Sequence, residues 1–239
     1  MRMLIAVFLL LLSLPQLSQS SSGQHSHSFE NKVSRNVSGK YLLFLPQDYG
    51  KAHKRYPLIM YLHGGSLRGD DVEKVRTLGL PRLIEKDRSF PFIVVSPLCP
   101  AGEIWTDTDL LIGILDEVVS HYSVDAERVY LTGHSMGGRG TWYLAYKYPE
   151  RFAAIAPMSA ISTIPAWASR LKALPVWVFH GSKDKIAPLE EAELMVSALK
   201  AFGGDVKFSV LPESDHFILD TYENKQLYEW FLQHKRRGK

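Results

Sequence analysis

The sequence predicts an α/β fold in which a mostly parallel central sheet carries helices on both faces. Two observations support this prediction. Short, nearly continuous apolar runs recur along the chain, and longer segments with apolar residues every three or four positions lie between them. Strands that alternate with helices of this length form parallel sheets through right-handed crossovers. No repeat or linker interrupts the pattern, so one domain is predicted.

Seven apolar runs are predicted to be strands. Most are continuous rather than alternating, which is typical of strands buried on both faces of a parallel sheet. Val37–Lys40 has the composition of a turn that joins the first run to an earlier strand, which predicts an antiparallel N-terminal edge. The runs are 40–46, 56–63, 90–97, 128–133, 152–159, 174–181 and 206–212.

Four segments have the periodicity of amphipathic helices. In one of them, 107–122, the apolar residues follow i, i+3, i+4 spacing and form a single stripe. Pro188 and Gly203 are expected to mark the first turn and the C-terminal stop of another helix. The predicted helices are 107–122, 135–149, 188–203 and 222–235.

Residues 1–20 are predicted to be a secretory signal peptide. One arginine precedes an apolar run from Leu4 to Leu12, and a proline and small polar residues follow it. This run is too short to span a bilayer comfortably, so a lasting membrane anchor is not expected. Residues 21–30 are polar and aperiodic and are predicted to be a flexible lead-in to the domain, 31–239. We therefore expect a secreted protein, either extracellular or periplasmic.

Composition argues against several kinds of partner. The 239 residues are 46% hydrophobic and 22% charged, with a formal net charge of +3, which is ordinary for a globular protein. The basic residues form no stripe, and the basic tail 234–239 is typical of a solvated terminus, so nucleic-acid binding is not expected. Cys99 is the only cysteine, which excludes an internal disulfide. His25 and His27 lack further ligands, so no metal and no other cofactor is expected.

The segment Gly133–Gly137, GHSMG, matches the G-x-S-x-G motif, and it lies between a predicted strand and a predicted helix. In that context the motif is a sharp turn that exposes a nucleophilic serine. The turn is strained, and side chains at its glycines would collide with the neighbouring strand and helix. Ser135 is therefore the candidate nucleophile.

A serine hydroxyl needs a base to take its proton and a carboxylate to orient that base. Asp184 and His216 each lie in a loop just after a later strand, in the order serine, acid, histidine. Such loops meet at one edge of a parallel sheet. Glu213 is an alternative acid, whereas Asp215 is a poor partner for His216 because adjacent side chains diverge.

Acyl transfer also requires donors for the oxyanion that develops in the transition state. His63-Gly64-Gly65 follows the second predicted strand, and its bare backbone can approach a substrate closely. The backbone amides of Gly65 and Met136 are the candidate donors.

Several segments together resemble one family. YPLIMYLHGGSLRGDD, VDAERVYLTGHSMGGRGTW and FHGSKDKIAP look like secreted α/β-hydrolase esterases related to predicted peptidases, dienelactone hydrolases and polyhydroxybutyrate depolymerase or feruloyl esterase-like enzymes. The resemblance runs from about residue 40 to 237. It implies an α/β-hydrolase fold and a serine ester hydrolase with Ser135, Asp184 and His216 as nucleophile, acid and base. The chain departs from many relatives at Asp215, which precedes the histidine.

Only about sixteen residues separate Met158 from Pro175, where a cap would be inserted. The cap is therefore predicted to be minimal and the site open. His134, Trp105 and Trp167 are candidate pocket residues, although each tryptophan is equally suited to the core.

The sequence thus predicts a secreted serine hydrolase that cleaves a small-molecule or polymeric carboxylic ester through an acyl-serine intermediate. Two alternatives remain open at this point. The same residues could cleave a peptide bond, or the fold could serve as a catalytically silent binding module.

Overall fold

The computed structural model describes residues 34–50, 54–87 and 89–236. The predicted signal peptide (1–20) and lead-in (21–30) lie outside these residues. The chain divides into two compact units, 1–36 and 37–239. The described residues of the first unit, 34–36, have no regular secondary structure. The second unit contains all the elements given below.

Seven strands form one sheet within the described residues, in the order β1-β3-β2-β4-β5-β6-β7. All neighbouring strands are parallel except β1, which pairs antiparallel with β3. The strands are β1 Tyr41–Phe44, β2 Tyr56–Leu62, β3 Ile93–Pro97, β4 Val124–His134, β5 Ala154–Met158, β6 Val176–Gly181 and β7 Val206–Leu211. Each lies within or over one of the predicted runs, so the predicted mostly parallel sheet is confirmed.

The antiparallel edge arises differently from the prediction. Residues 34–40 contain no strand, so within the described residues no earlier strand precedes β1 through a turn at 37–40. The edge is antiparallel because β1 runs opposite to β3, with Tyr41 beside Pro97 and Phe44 beside Val94. Residues 37–40 form neither the predicted turn nor a hairpin, because no turn or other regular structure is present there.

The continuous apolar runs follow from burial on both sides of the sheet. Every residue of β2, β3, β5 and β6 is buried. Alternate residues of β2 belong to different hydrophobic clusters: Leu58, Met60 and Leu62 to one, Ile59 and Tyr61 to the other. Because successive strand side chains point to opposite faces, a run with no polar position is what a sheet covered on both faces requires.

Six α-helices and several short 3₁₀ turns cover the sheet in the described residues. The four predicted helices are present, and α1 and α4 are additional. The helices are α1 Gly79–Lys86, α2 Thr108–His121, α3 Met136–Lys147, α4 Ala168–Leu171, α5 Leu189–Ala201 and α6 Lys225–Gln233. Asp107 caps α2, because its carboxylate accepts a hydrogen bond from the Leu110 amide at 3.1 Å. None of these helices is both long and apolar enough to cross a membrane.

The connection from β5 to β6 carries only a 3₁₀ turn, Pro165–Trp167, and the one-turn helix α4. The predicted minimal cap is confirmed. Because β2, β4, β6 and β7 are parallel, the loops after them leave the sheet at the same edge. These four loops carry Gly65, Ser135, Asp184 and His216, whereas Trp105 and Trp167 follow β3 and β5.

Candidate active site

Ser135 occupies the turn between β4 and α3. Its backbone has φ 59° and ψ −118°, a conformation that costs a non-glycine residue free energy. The Ser135 amide donates to the carbonyl oxygen of Met158 at 2.9 Å, which ties the turn to β5. The strain predicted from the motif is therefore present.

The glycines of the motif are required by close backbone approach. A methyl group on Gly137 would lie 1.8 Å from the carbonyl oxygen of Leu62 in β2. One on Gly133 would lie 2.4 Å from the carbonyl oxygen of Gly137. Helix α3 therefore begins directly against the sheet, which places Ser135 at the sheet edge.

The structure brings Ser135, His216 and Asp184 together in one chain of hydrogen bonds. The His216 Nε2 atom lies 2.7 Å from Ser135 Oγ, and its Nδ1 atom lies 2.7 Å from Asp184 Oδ2. The residues come from three loops, and both Asp184 and His216 are buried. With Asp184 ionised, Nδ1–H donates to the carboxylate, so Nε2 is left to accept the serine proton.

The surroundings of Asp184 favour its ionised form. Burial raises the pKa of Asp184, but the Ala187 amide, the His216 ring and the Ile186 amide lower it, and the net shift is downward. The Asp184 Oδ1 atom accepts from the amides of Ile186 and Ala187 at 2.9 and 2.8 Å. The loop after β6 thus holds a carboxylate whose second oxygen is directed to His216.

The two rival acids lie elsewhere. Glu213 is exposed and forms an ion pair with Lys183. Asp215 accepts a hydrogen bond from the Phe217 amide at 2.8 Å. Neither carboxylate is hydrogen-bonded to the His216 ring, whereas Asp184 is.

The loop after β2 packs against the serine turn. A methyl group on Gly64 would lie 3.7 Å from Ser135 Cβ, and one on Gly65 would lie 3.9 Å from Met136 Sδ. Gly65 and Met136 are the first residues of their helical segments, so their N–H groups have no intrahelical acceptor. Both candidate oxyanion donors therefore flank Ser135.

His63, for which the sequence predicts no separate role, supports the same loop. Its ring is fully buried, and Nε2 accepts from the Cys99 amide at 3.0 Å. Burial lowers the pKa of His63, which favours the neutral ring that can accept this bond. The one available signal was a histidine at the end of a buried strand.

A cavity of about 210 Å³ opens beside Ser135. No Asp, Glu, Lys or Arg lines it. Its walls are Tyr61, Gly64, Gly65, Ser66, Leu67, Leu78, His134, Ser135, Ile186, His216, Phe217 and Leu219. His134 is thus at the cavity, as expected, whereas Ile186 and Phe217 were not singled out from the sequence.

The structure places neither candidate tryptophan in this cavity. Trp105 is buried in the core, and its indole N–H donates to the His63 carbonyl oxygen at 2.9 Å. Trp167 packs on the rings of Tyr146 and Tyr143, with centroids 5.4 and 5.5 Å away. Large apolar rings bury well wherever space exists, so their position cannot be read from local sequence.

A family comparison agrees with this architecture. A model of the phospholipase/carboxylesterase family matches residues 103–228, a little over half of the chain. The chain belongs to the phospholipase/carboxylesterase family. The matched segment contains Ser135, Asp184 and His216 but begins after the Gly65 loop.

Several relatives of this carboxylesterase-family chain are named esterases. A probable feruloyl esterase C from Aspergillus terreus is 28% identical over 200 residues, which cover 79% of this chain and 71% of that protein. A bifunctional acetylxylan esterase/xylanase, XynS20E, from Neocallimastix patriciarum is 31% identical over 108 residues. That match covers 43% of this chain but only 16% of the relative's length.

A solved structure of a thermostable esterase is also similar. It superposes on 82% of this carboxylesterase-family chain with a TM-score of 0.71 at 29% identity, and the match covers 59% of that structure's chain. The predicted resemblance to α/β-hydrolase esterases is confirmed.

In this carboxylesterase-family chain, His134 links the serine turn to the His216 loop. Its Nε2–H donates to the backbone carbonyl oxygen of His216 at 2.6 Å, across 82 residues of sequence. Burial lowers the pKa of His134 to about 4; the His216 carbonyl opposes this shift, and the nearby His216 ring adds to it. Asp184 and His180 also face this ring.

The buried His134 predicts a loss of stability in mild acid. Between pH 6.5 and 4 the unfolded chain binds a proton at this histidine and the folded chain does not, so the free energy of unfolding falls as pH falls. The shift from 6.5 to about 4 corresponds to about 3 kcal/mol in total. Urea unfolding measured across this range should show that decline.

The control is a pair of substitutions. His134→Gln keeps an N–H donor but does not titrate, so the decline between pH 6.5 and 4 should shrink. His121→Gln changes an exposed histidine of α2 and should leave the decline as it is in the wild type. If the free energy of unfolding of His134→Gln fell with pH as steeply as that of the wild type, His134 would not be the source of the decline.

Proposed function

We propose that this chain is a secreted serine esterase that cleaves carboxylic esters through an acyl-serine intermediate. The observation that supports the proposal is the chain of contacts from Ser135 Oγ to His216 Nε2 and from His216 Nδ1 to Asp184 Oδ2, each 2.7 Å. An imidazole with a nucleophile on one nitrogen and an ionised carboxylate on the other is the arrangement that makes a hydroxyl nucleophilic.

In the acylation half-reaction, Ser135 Oγ attacks the ester carbonyl carbon while His216 Nε2 takes the hydroxyl proton. The carbonyl oxygen becomes an oxyanion, and the amides of Gly65 and Met136 donate hydrogen bonds to it. When the tetrahedral intermediate collapses, His216 returns the proton to the alcohol oxygen, and the alcohol leaves. Asp184 keeps Nδ1 protonated throughout and stabilises the imidazolium.

Deacylation repeats these steps with water as the nucleophile. His216 takes a proton from water, the hydroxide attacks the acyl carbon, and the proton goes to Ser135 Oγ as the carboxylic acid leaves. Ser135 also lies at the N-terminus of α3, whose dipole favours the negative charge of both tetrahedral intermediates.

The cavity supports an uncharged ester as the substrate. No charged side chain lines it, whereas Ile186 and Phe217 at its walls are 60% and 65% exposed. The minimal cap leaves room for a small-molecule ester or for one bond of a polymer. Ester cleavage is also the activity that the names of several relatives carry.

Export is proposed from the N-terminal sequence, where a short apolar run precedes small polar residues. N-terminal sequencing of the chain recovered outside the cytoplasm should then begin near residue 21. Recovery of the chain with its first 20 residues intact would oppose this part of the proposal.

A fluorophosphonate probe tests the proposed nucleophile, because it reacts covalently only with an activated serine. The wild-type chain should be labelled, Ser135→Ala should not, and Ser120→Ala, a serine on the exposed side of α2, should be labelled like the wild type. Labelling of Ser135→Ala, or none of the wild type, would exclude Ser135 as the nucleophile.

A substrate screen separates the esterase from its alternatives. We expect turnover of p-nitrophenyl acetate and no cleavage of short peptides. Cleavage of peptides at a comparable kcat/KM would favour a peptidase. A protein that is not labelled by the fluorophosphonate probe and cleaves neither class would favour a catalytically silent binding module.

A further inference from the structure

Tyr61 is a buried tyrosine whose hydroxyl forms no hydrogen bond with any described residue. The side chain is 1% exposed, and none of the described residues forms a hydrogen bond with its hydroxyl. Buried tyrosine hydroxyls are normally paired, because removing the group from water without a partner costs free energy. The Tyr61 hydroxyl is not fully enclosed by protein, so a partner can reach it from the cavity that Tyr61 lines.

Other buried tyrosines on the same face of the sheet follow the normal pattern. The Tyr222 hydroxyl lies 3.1 Å from Thr132 Oγ1. The Tyr228 hydroxyl donates to the Tyr222 carbonyl oxygen at 2.5 Å, and that of Tyr130 to the His234 carbonyl oxygen at 3.0 Å. Tyr61 contacts Tyr222 ring edge to ring face, yet it shares in none of these bonds. The other three tyrosine hydroxyls are thus bonded within the core, whereas none of the described residues bonds to that of Tyr61.

The position of Tyr61 indicates what its hydroxyl can bind. It lies two residues before the His63-Gly64-Gly65 loop and lines the cavity beside Ser135. The hydroxyl also lies against Gly79, since a methyl group on Gly79 would lie 2.2 Å from the Tyr61 hydroxyl oxygen. Gly79 has φ +62°, so a glycine suits both the backbone turn and the space left for the phenol.

The cavity otherwise offers apolar walls at this end. Leu67, Leu78 and Leu219 line it together with Tyr61, and no charged side chain does. Burial raises the pKa of Tyr61, so its hydroxyl stays protonated and can donate a hydrogen bond. In a largely apolar pocket, a few placed polar groups determine which ligand is bound and in which orientation.

We propose that Tyr61 is a specificity-determining residue that donates a hydrogen bond to an oxygen atom carried within the acyl group of the ester. The inference rests on the proposed esterase function. The cavity suits the acyl group because Ser135 lies on its wall and the acyl group stays on Ser135 while the alcohol leaves to solvent. The substrate class is then esters of uncharged acids whose otherwise apolar chain carries an ether, hydroxyl or carbonyl oxygen.

The test compares p-nitrophenyl esters of nearly equal shape in wild type and Tyr61→Phe, a change that removes only the hydroxyl. The pairs are methoxyacetate with butanoate, 3-methoxypropanoate with pentanoate, and 4-methoxybutanoate with hexanoate. For each pair the ratio of kcat/KM for the methoxy ester to kcat/KM for the alkyl ester is measured. In at least one pair, Tyr61→Phe should lower this ratio by about 3- to 10-fold, as expected for one lost hydrogen bond.

Taking the ratio within each variant cancels any general effect on folding or on Ser135. Tyr222→Phe is the matched control, since it removes a phenol of the same cluster that is bonded to Thr132. Its ratios should equal those of the wild type. Its melting temperature should fall, whereas that of Tyr61→Phe should be at or above the wild-type value.

The possible failures are distinguishable. If the wild type hydrolyses none of these esters, the proposed esterase function fails. If it hydrolyses them and the ratio is the same in Tyr61→Phe for every pair, the role of Tyr61 is wrong while the esterase function stands. A lower melting temperature for Tyr61→Phe would show that the hydroxyl has a structural partner, which would also overturn the inference.

Discussion

Replacing His216 with alanine is expected to lower kcat/KM for p-nitrophenyl acetate by about 10⁴- to 10⁶-fold while the chain remains folded. Without the imidazole, none of the described residues forms a hydrogen bond with Ser135 Oγ through which its proton could be taken. The kcat/KM of Ser135→Ala should fall to a similar level. The double variant should be no slower than either single variant, because the two residues act as one unit. Stopped-flow or long-time hydrolysis assays, with circular dichroism to verify folding, make the measurement.

Substitutions at two carboxylates, Asp184 and Glu213, test which of them is the acid that orients His216. Asp184→Asn should lower kcat/KM for p-nitrophenyl acetate by about 10⁴-fold, because an amide at this position no longer holds His216 in the required tautomer. Glu213→Gln should retain wild-type turnover, since Glu213 pairs with Lys183 on the surface. If Glu213→Gln lost activity and Asp184→Asn kept it, the assignment of the acid would be reversed.

Replacing Gly137 with alanine is expected to destabilise the fold by at least about 4 kcal/mol, or to prevent soluble expression. The added methyl group would lie 1.8 Å from the Leu62 carbonyl oxygen and 2.8 Å from that of His63. Both obstacles are backbone atoms of β2 and its following loop, so no side chain can rotate away. Helix α3 would have to separate from the sheet. Urea unfolding, or soluble yield where the variant does not fold, measures the effect.

Gly113→Ala provides the contrast. Gly113 is an exposed residue in the middle of α2, and a methyl group there would meet only Val37 Cγ2, at 3.7 Å. Alanine is the better helix former by about 0.5–1 kcal/mol, so this variant should be slightly more stable than the wild type. A Gly137→Ala variant within 1 kcal/mol of the wild type would show that α3 can shift to accept the methyl group.

Much of the architecture was predictable because buried positions are occupied by apolar residues, whose spacing along the chain differs between strands and helices. β2 is apolar without interruption, and β6 is apolar up to His180, since both faces of the sheet are covered. Helix α2 carries its apolar stripe because one face packs on the sheet. The juxtaposition of Ser135, Asp184 and His216 was also predictable in outline. Each follows a strand, and parallel strands deliver their following loops to one edge.

Side-chain placement was less predictable. Trp105 and Trp167 were candidate pocket residues, but Trp105 binds the His63 carbonyl oxygen in the core and Trp167 packs on Tyr143 and Tyr146. Helix α1 was missed because it is only eight residues long. Short helices are held mainly by the contacts they make, which local periodicity does not record.

By itself, then, the sequence determined the order of strands and helices, the strained serine turn and the three loops that meet at it. These features depend on local backbone preference and on the burial pattern of contiguous residues. Only the tertiary structure decided that His134 bonds the His216 carbonyl oxygen and that His63 accepts from the Cys99 amide. It also decided that the Tyr61 hydroxyl lies at the cavity without a hydrogen bond to any described residue. The physical reason is that a hydrogen bond across tens of residues depends on distances of a few tenths of an ångström, which packing of the whole domain sets.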